Sequence, residues 1–405
     1  MHKMIFRISL ITITGMLLAS CTSNSIKSSA TGWPYDFKSE NALRNVQKQG
    51  SMVTNVPPGM VEIPGGTVTV DDIEDYETAN RRVNPSVLNL RKTISVNSFY
   101  MDAREIRNID WREYLNWLTA VYGKVAPEIV EKARPDIKAW NQGLGENEPF
   151  MMNYFTHPSF NEYPVVCISW EQAVEYCAWR TDRANELLLI QQGVLKAPDF
   201  NAIAAMTDLA SVKKAIFTTK EFFAGPLNNP GTSFNGLYPD YRLPSEDEWE
   251  YAAYAKGPGS TTTAVYPWDE NKFVNVKNQK KLIAHYNRAS VNGGNTDIFS
   301  RTVPVTKYGP NDFGLYNMSG NVNEWVFDRY STKANISKVD STDILDVFLP
   351  DQLKKPDTRV YKGGSWKDPV FWLHPSGRRS LAQQDAASDI GFRCAMSAVP
   401  VQIRK

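Results

Sequence analysis

The sequence predicts an α+β fold in which regular structure becomes sparse toward the C-terminus. Apolar residues recur at helical spacing in several stretches between residues 108 and 256, and short apolar runs that are typical of strands flank them. After residue 256 the helical patterns vanish, and turn signals rich in Gly, Pro and Asn separate short strand-like runs. The C-terminal part is therefore expected to be rich in loops, with little regular secondary structure.

The composition is that of a globular protein. Of the 405 residues, 42% are hydrophobic and 22% are charged, which argues against an intrinsically disordered chain. The 45 Lys and Arg residues balance 44 Asp and Glu residues, whereas a dedicated nucleic-acid-binding protein usually carries a basic excess. Four Cys are too few for a disulfide scaffold, and four His leave little room for a histidine-based metal site.

The N-terminus predicts export and attachment to a lipid. Residues 1–20 combine a positively charged start with an apolar stretch that is too short to span a bilayer, which is typical of a secretory signal peptide. The segment ends in Leu-Ala-Ser before Cys21, which resembles a bacterial lipobox and implies acylation of Cys21. Because Thr22 follows rather than the Asp that retains many lipoproteins at the inner membrane, we expect an outer-membrane anchor with the body on the periplasmic side.

Residues 21–57 are polar and show little periodicity, so we interpret them as a tether with some local order, which leads from the lipid to the body of the protein. The exported body retains Cys167, Cys177 and Cys394. An odd number leaves at least one thiol unpaired or paired with another chain. Two interpretations stay open, an internal bridge from Cys394 to Cys177 or Cys167, and three buried thiols.

Strand signals open the body. Residues 60–63 and 67–70 read as two strands around a Pro-Gly-Gly turn, and this arrangement predicts a β-hairpin. Residues 95–100 alternate like a further strand. The region 121–163 reads as a mixed, aromatic-rich insertion.

Three helices have clear signals. The first begins near Asn108, and its apolar spacing predicts four core positions, Trp111, Tyr114, Leu115 and Leu118. The other two begin with capping boxes, which are formed by Ser169 with Gln172 and by Ser245 with Glu248. In the third helix Glu246 and Glu250 have i, i+4 spacing, and we interpret them as part of a solvated helix face rather than as a catalytic acid pair.

Seven short sequence motifs, which follow one another in a fixed order along the chain, resemble those of the formylglycine-generating-enzyme (sulfatase-modifying factor) family. They lie at residues 99–105, 169–179, 242–253, 266–268, 311–325, 363–366 and 391–394. The resemblance covers about residues 58–398. It implies a single FGE-sulfatase domain of the α+β class, distantly like C-type lectins, with low regular secondary structure and with insertions near residues 121–163, 187–240 and 330–358.

Within that family the chain is similar to the gliding-motility and type IX secretion lipoproteins of Bacteroidota, which are GldJ-like and GldK-like (PorK). The lipobox and the stretch 154–182 carry this similarity. It implies a structural outer-membrane component that acts through contacts with other secretion and gliding proteins, with no nucleic-acid partner. The three insertions are interface candidates, as are the apolar residues Phe348, Leu349 and Trp372, although burial in the core explains these side chains as well.

The resemblance does not extend to the catalytic centre of the family. Active members hold copper with two cysteines, and soft thiolates suit Cu(I). Both cysteines lie between the Gly-Gly-Ser and Gly-Phe-Arg-Cys phrases, but residues 366–390 contain no Cys here. Lys367, Asp368, Leu373 and His374 occupy the neighbourhood instead. We therefore expect a non-catalytic member with no catalytic residues and no copper.

A second interpretation is a binding module or a divergent oxidoreductase. Five residues would line the equivalent of the active-site groove, namely Trp366, Asp368, His374, Arg378 and Arg379. An aromatic, Arg-lined surface of this kind would suit a glycan or a peptide. Core packing and ion pairs can explain the same residues.

The resemblance also implies that structural calcium fastens the loops, through one or two sites with oxygen ligands. The first site would use the Asn317 side chain, the carbonyl groups of Gly320 and Val322, and the Glu324 carboxylate. The alternative is a tight turn in which Asn317 and Glu324 only satisfy backbone amides. The second site would use four residues, Asn287, Asp297 and the carbonyl groups of Arg288 and Phe299.

Overall fold

A computed structural model describes nine stretches of the chain, which are residues 26–48, 56–71, 91–142, 148–224, 236–255, 260–261, 284–286, 301–330 and 357–398. The α-helices in these stretches are α1 Glu40–Lys48, α2 Asn108–Tyr122, α3 Pro127–Lys132, α4 Glu148–Asn153, α5 Trp170–Gln191, α6 Phe200–Ala205, α7 Leu209–Ala215, α8 Thr219–Ala224 and α9 Glu246–Tyr254. Among the described residues, none of these helices has the length and apolar character that crossing a bilayer requires.

The strands are β1 Met60–Ile63, β2 Gly66–Asp71, β3 Arg91–Val96, β4 Phe99–Asp102, β5 Ser260–Thr261, β6 Asn323–Arg329, β7 Thr358–Lys362, β8 Arg379–Ala382, β9 Ile390–Gly391 and β10 Ala395–Ser397. In the described stretches they form three small sheets, with the orders β1-β4-β10, β3-β2-β5 and β8-β7-β6-β9. Helices and strands thus coexist as the α+β prediction requires, and the part of the structure described after residue 255 holds strands, loops and one short 3-10 turn.

The predicted hairpin between residues 60–63 and 67–70 is wrong. β1 pairs antiparallel with β4, whereas β2 pairs antiparallel with β3. The turn between β1 and β2 passes so close to the backbone of residues 96–98 that a Cβ atom on Gly65 would lie 2.5 Å from the Ser98 nitrogen. The chain therefore crosses from one sheet to another at this turn.

The longest helices, α2 and α5, share an aromatic core. All four predicted core residues of α2 are buried. The Trp111 ring stacks on Tyr176 of α5 with centroids 5.3 Å apart, and its edge meets Phe392 at 5.9 Å. Large aromatic side chains in such stacked and edge-to-face contacts contribute much of the apolar burial of a core.

Both predicted capping boxes are confirmed. At α5 the Ser169 hydroxyl accepts a hydrogen bond from the Gln172 amide, and the Gln172 side chain accepts one from the Ser169 amide. Ser245 and Glu248 repeat this pair of bonds at α9. The motifs satisfy amide groups that the first turn of a helix would otherwise leave without partners.

The solvated face predicted for α9 is wrong. Glu250 is fully buried, and its carboxylate accepts hydrogen bonds from Lys92 at 2.7 Å, Lys362 at 3.3 Å and Ser376 at 2.5 Å. Glu246 pairs with Lys362 at 3.1 Å. The i, i+4 spacing places both carboxylates on one side of α9, and that side faces the sheet that contributes Lys362.

The region interpreted as a tether contains a segment that packs onto the helices. We name residues 26–48 the N-terminal segment. Trp33 and Phe37 in it are 4% exposed. The Trp33 indole donates to the Arg183 carbonyl at 2.7 Å, and the Phe37 ring lies 5.0 Å from Phe200. Only part of the predicted stretch 21–57 can therefore act as a tether, because this segment belongs to the folded body.

Cys167, Cys177 and Cys394 are buried free thiols in the described structure. The sulfur atoms of Cys177 and Cys394 lie 3.5 Å apart, whereas a disulfide requires about 2.05 Å. The structure thus shows no internal bridge among the described cysteines. It does select between the two pairings that the sequence left open, because Cys177 is the neighbour of Cys394.

We expect Cys177 and Cys394 to become a disulfide when the protein folds in an oxidising compartment. The thiols would lose two protons, and two electrons would pass to a thiol oxidoreductase. Because burial raises the pKa of Cys394 well above its ordinary value, the bridge should form during folding rather than afterwards. Alkylation of the denatured exported protein, read by mass spectrometry, should modify Cys167 alone. Modification of all three would contradict the prediction, and Cys177→Ser provides the control in which Cys394 becomes reactive.

Candidate functional site

The first predicted calcium site lies on the loop that leads into β6. Asn317 and Gly320 have left-handed backbone conformations, with φ of 51° and 90°. A Cβ atom on Gly320 would lie 2.5 Å from the His285 carbonyl oxygen, so glycine is required at this close approach. Val322 and Glu324 follow and are buried. The predicted ligand residues therefore lie in a tight, buried turn and, for Glu324, at the start of the strand that follows it.

The Asn317 side chain is oriented by two hydrogen bonds. Its amide nitrogen donates to Glu105 Oε2 at 3.1 Å and to the Val305 carbonyl at 2.9 Å. The neighbouring Asn321 amide donates to Glu105 Oε1 at 2.8 Å. Because these contacts use the Asn317 nitrogen, its amide oxygen is the atom that could face a cation.

The Glu324 carboxylate forms a buried ion pair that neither expectation included. Arg393 donates to both of its oxygens, at 2.6 and 2.7 Å, and the Trp249 indole donates at 2.8 Å. Glu324 and Arg393 are both buried. The carboxylate therefore neutralises a buried guanidinium rather than backbone amides, and a calcium ion at this turn would have to share it with Arg393.

Glu105 is the site residue whose role the sequence did not reveal. Burial, together with the charge of Glu324, raises the pKa of its carboxyl to about 7, against the lowering effect of Arg393. Its two oxygens accept hydrogen bonds from the side-chain amides of Asn317 and Asn321. Glu105 thus stabilises the turn at residues 317–324 without being one of its residues. Glu105 belongs to the family motif at residues 99–105, which could have marked it as a site residue. Its hydrogen-bond partners Asn317 and Asn321, however, lie more than 200 residues away along the chain.

The remaining predicted ligands lie outside the described residues. These are Asn287, Arg288, Asp297 and Phe299 of the second calcium site, together with the lipidation residue Cys21. The interface candidates Phe348 and Leu349 lie outside them too.

Asp368 and Leu373, two of the four residues in the neighbourhood expected for the family's copper ligands, have other partners. Asp368 accepts two hydrogen bonds from Arg379, both at 2.7 Å, and one from Ser365 at 2.6 Å. Burial acts to raise the pKa of Asp368, but its bonds with Arg379 outweigh this effect and hold the pKa below its ordinary value. Leu373 is fully buried and apolar. Within the described stretches, no group of three His, Cys, Asp or Glu side chains is arranged to hold a metal ion.

The five predicted groove residues do not form one surface. His374 is 1% exposed and accepts the Ser376 amide at 3.0 Å. Arg378 is also buried and pairs with Glu246 at 2.9 Å. These two side chains are part of the packed interior, as the core-packing interpretation holds, so a ligand could not reach them directly.

Trp366 remains available at the surface. It is half-buried, and its ring stacks on Trp140 with centroids 6.2 Å apart. The Arg301 guanidinium lies 5.1 Å from the Trp366 ring centroid and 5.8 Å from that of Phe150. This aromatic and cationic group is the accessible part of the predicted groove.

Comparison with known proteins agrees with the fold and with these phrases. The model of the sulfatase-modifying factor enzyme 1-like domain (FGE-sulfatase) matches residues 47–398. A formylglycine-generating enzyme of Thermomonospora curvata is 32% identical over 371 residues, which cover 84% of this chain and 94% of that protein. The mouse formylglycine-generating enzyme is 25% identical over 372 residues, 84% of this chain and 76% of the relative.

An inactive relative is similar over a comparable length. The bovine protein named inactive C-alpha-formylglycine-generating enzyme 2 is 24% identical over 369 residues, which cover 84% of this chain and 88% of that protein. The relatives thus include enzymes as well as a protein named as inactive. On the extent of the match over residues 47–398, the chain belongs to the FGE-sulfatase family.

Proposed function

We propose that this chain is a non-catalytic, lipid-anchored member of the family, which works as a structural component through protein–protein contacts. The observation that carries the proposal is the replacement of the copper dithiolate. Residues 366–390 contain no Cys. Within this stretch Asp368 forms an ion pair with Arg379, and Leu373 is buried in the core. A carboxylate already bound to a guanidinium is a poor substitute for a soft thiolate ligand.

The cellular setting of the proposal is the outer membrane, within a type IX secretion or gliding-motility machine. The lipobox at Cys21 supports the anchor, and the similarity of residues 154–182 to the GldJ-like and GldK-like lipoproteins supports the machine. The partners would be other components of that machine. Phe327 is one exposed apolar side chain on the described surface, at 53% exposure, and is available for such a contact.

Purification of the native lipoprotein from outer membranes in mild detergent tests this proposal. We expect the chain to elute in a large particle together with type IX secretion components, identified by mass spectrometry. Phe327 is exposed and would supply part of the interface with a partner. Phe327→Ser should therefore lower the yield of the co-purified components, while the chain itself stays folded. The matched control is Val56→Ser, at an exposed apolar residue outside the three insertions that are interface candidates. A lone monomer in every detergent would contradict the structural role.

A second candidate function is ligand binding at the Trp366 surface, and the Arg301 guanidinium beside the half-buried Trp366 ring favours it. Glycans and peptides are the ligand classes that such a surface suits, and a divergent oxidoreductase would use the same place. Saturable binding of an oligosaccharide or peptide that is lost in Trp366→Ala and kept in Trp372→Ala would favour this function over the structural one.

We also propose that calcium stabilises the turn at residues 317–324. Thermal unfolding after removal of divalent ions should then shift to a higher temperature when calcium is added. At a hundredfold excess over the dissociation constant, calcium should raise the free energy of unfolding by about 2.7 kcal/mol. Asn317→Gly removes the amide oxygen and keeps the left-handed backbone, so it should abolish the shift. Asn321→Gly is the matched control, since Asn321 has φ of 66° and is not a predicted ligand. An unfolding temperature of the wild-type protein that does not change when calcium is added would refute the site.

A further inference from the structure

The N-terminal segment is held from its first described residue. The Ile26 carbonyl accepts the Tyr35 amide at 3.1 Å, and the Ser28 amide donates to the Trp33 carbonyl at 2.7 Å. These bonds fold residues 26–35 into a closed loop. Ile26 thus belongs to a hydrogen-bonded loop of the folded body.

Arginines of the domain bind the backbone and side chains of this loop. The Ser29 hydroxyl accepts from Arg104 at 2.6 Å and from Arg107 at 2.7 Å. The Ala30 carbonyl accepts from Arg180 at 2.8 Å. Charged donors make stronger hydrogen bonds than neutral ones, so the loop is fixed to α2 and α5.

Apolar burial adds to this attachment. Trp33 and Phe37 are 4% exposed, and Ala42 and Val46 of α1 are 1% and 3% exposed. Burial of these aromatic and aliphatic side chains stabilises the contact of the segment with the body of the protein.

We propose that this docked segment holds the body of the protein against the bilayer, with the surface around Ile26 facing the lipid headgroups. The inference rests on the lipid anchor at Cys21 of the proposed function. Five residue steps separate Cys21 from Ile26, so Ile26 lies within about 18 Å of the acylated residue even in a fully extended chain. The Ile26 side chain is 79% exposed, and a lipid surface would cover it.

The opposite end of α5 is then the part of the protein left for partners. The segment contacts α5 at Arg180 and Arg183, whereas Trp170 at the start of the helix packs against the exposed Phe327, with ring centroids 5.9 Å apart. Ten helical residues from Trp170 to Arg180 span about 15 Å. Phe327 therefore packs at the start of α5, about 15 Å along the helix axis from the contact of the N-terminal segment at Arg180.

The test uses the full lipidated chain in vesicles of phosphatidylethanolamine and phosphatidylglycerol that contain a headgroup nitroxide lipid, which quenches fluorophores at near contact. A fluorophore is attached at Ile26→Cys or, as control, at Phe327→Cys. The native thiols of the body are buried and should not be labelled. We expect the label at 26 to lose most of its fluorescence and the label at 327 to keep it.

Insertion of about 20 Gly and Ser residues between positions 25 and 26 makes the tether a flexible coil and should restore the fluorescence at position 26. Equal fluorescence of both labels on vesicle-bound protein would overturn the inference while leaving the anchor intact. Flotation that persists in Cys21→Ser would overturn the anchor and the inference together. Neither outcome affects the recovery of secretion components, which tests the structural role separately.

Discussion

Replacement of Arg180 by Met is expected to lower the free energy of unfolding by about 3–5 kcal/mol, because it leaves an uncompensated charge in the interior. Arg180 and Asp102 are buried, and the guanidinium donates to both Asp102 oxygens at 2.7 and 2.8 Å. The same guanidinium binds the carbonyl groups of Ala30 and Pro58 at 2.8 and 2.9 Å. One side chain thus joins α5, β4 and the N-terminal segment.

Denaturant unfolding of a double-mutant cycle measures this effect. Arg180→Met and Asp102→Asn should each be strongly destabilising, and the double variant should cost less than the sum of the two. The control is the ion pair of Lys132 and Glu175, which has the same 2.7 Å separation but has side chains 61% and 42% exposed. Lys132→Met should cost about 1 kcal/mol or less. Equal effects at the buried and exposed pairs would contradict the argument from burial.

Glu324→Gln is expected to destabilise the protein by a similar amount, about 3–5 kcal/mol, with or without calcium. The amide keeps the shape of the side chain but removes the charge that compensates Arg393, whose guanidinium also donates to the carbonyl groups of Asp102 and Tyr316 at 3.1 and 2.7 Å. The buried cation would keep its position and lose its counter-ion. This loss belongs to folding and not to ion binding.

Unfolding of Glu324→Gln in calcium and in chelator separates the two roles of this residue. A large loss of stability in both solutions supports the ion pair as the main role. Asn317→Gly is the matched comparison: losing its hydrogen bonds to Glu105 and Val305 should lower stability in both solutions, but calcium should stabilise the wild-type protein and not this variant. Destabilisation of Glu324→Gln that appears only with calcium would contradict the role assigned to Arg393 here.

Features encoded by neighbouring residues were predicted correctly. The capping boxes at Ser169 and Ser245 join residues three positions apart, and the buried face of α2 follows from helical spacing alone. The missing cysteines of residues 366–390 are likewise a property of one short stretch. For such features the interacting atoms are set by backbone geometry within one or two turns, so the pattern of residues is sufficient.

Features that depend on distant partners were decided by the tertiary structure. The pairing of β1 with β4, the burial of Glu250 beside Lys362, and the contact of Cys177 with Cys394 join residues between about 40 and 217 positions apart. A charged or polar residue has the same local pattern whether water or a buried counter-ion neutralises it. The sequence by itself therefore determined the family, the starts of the capped helices and the absence of Cys from residues 366–390. Which charges are buried, and which segment docks on which helix, was decided by the packing, because these contacts exist only after remote parts of the chain meet.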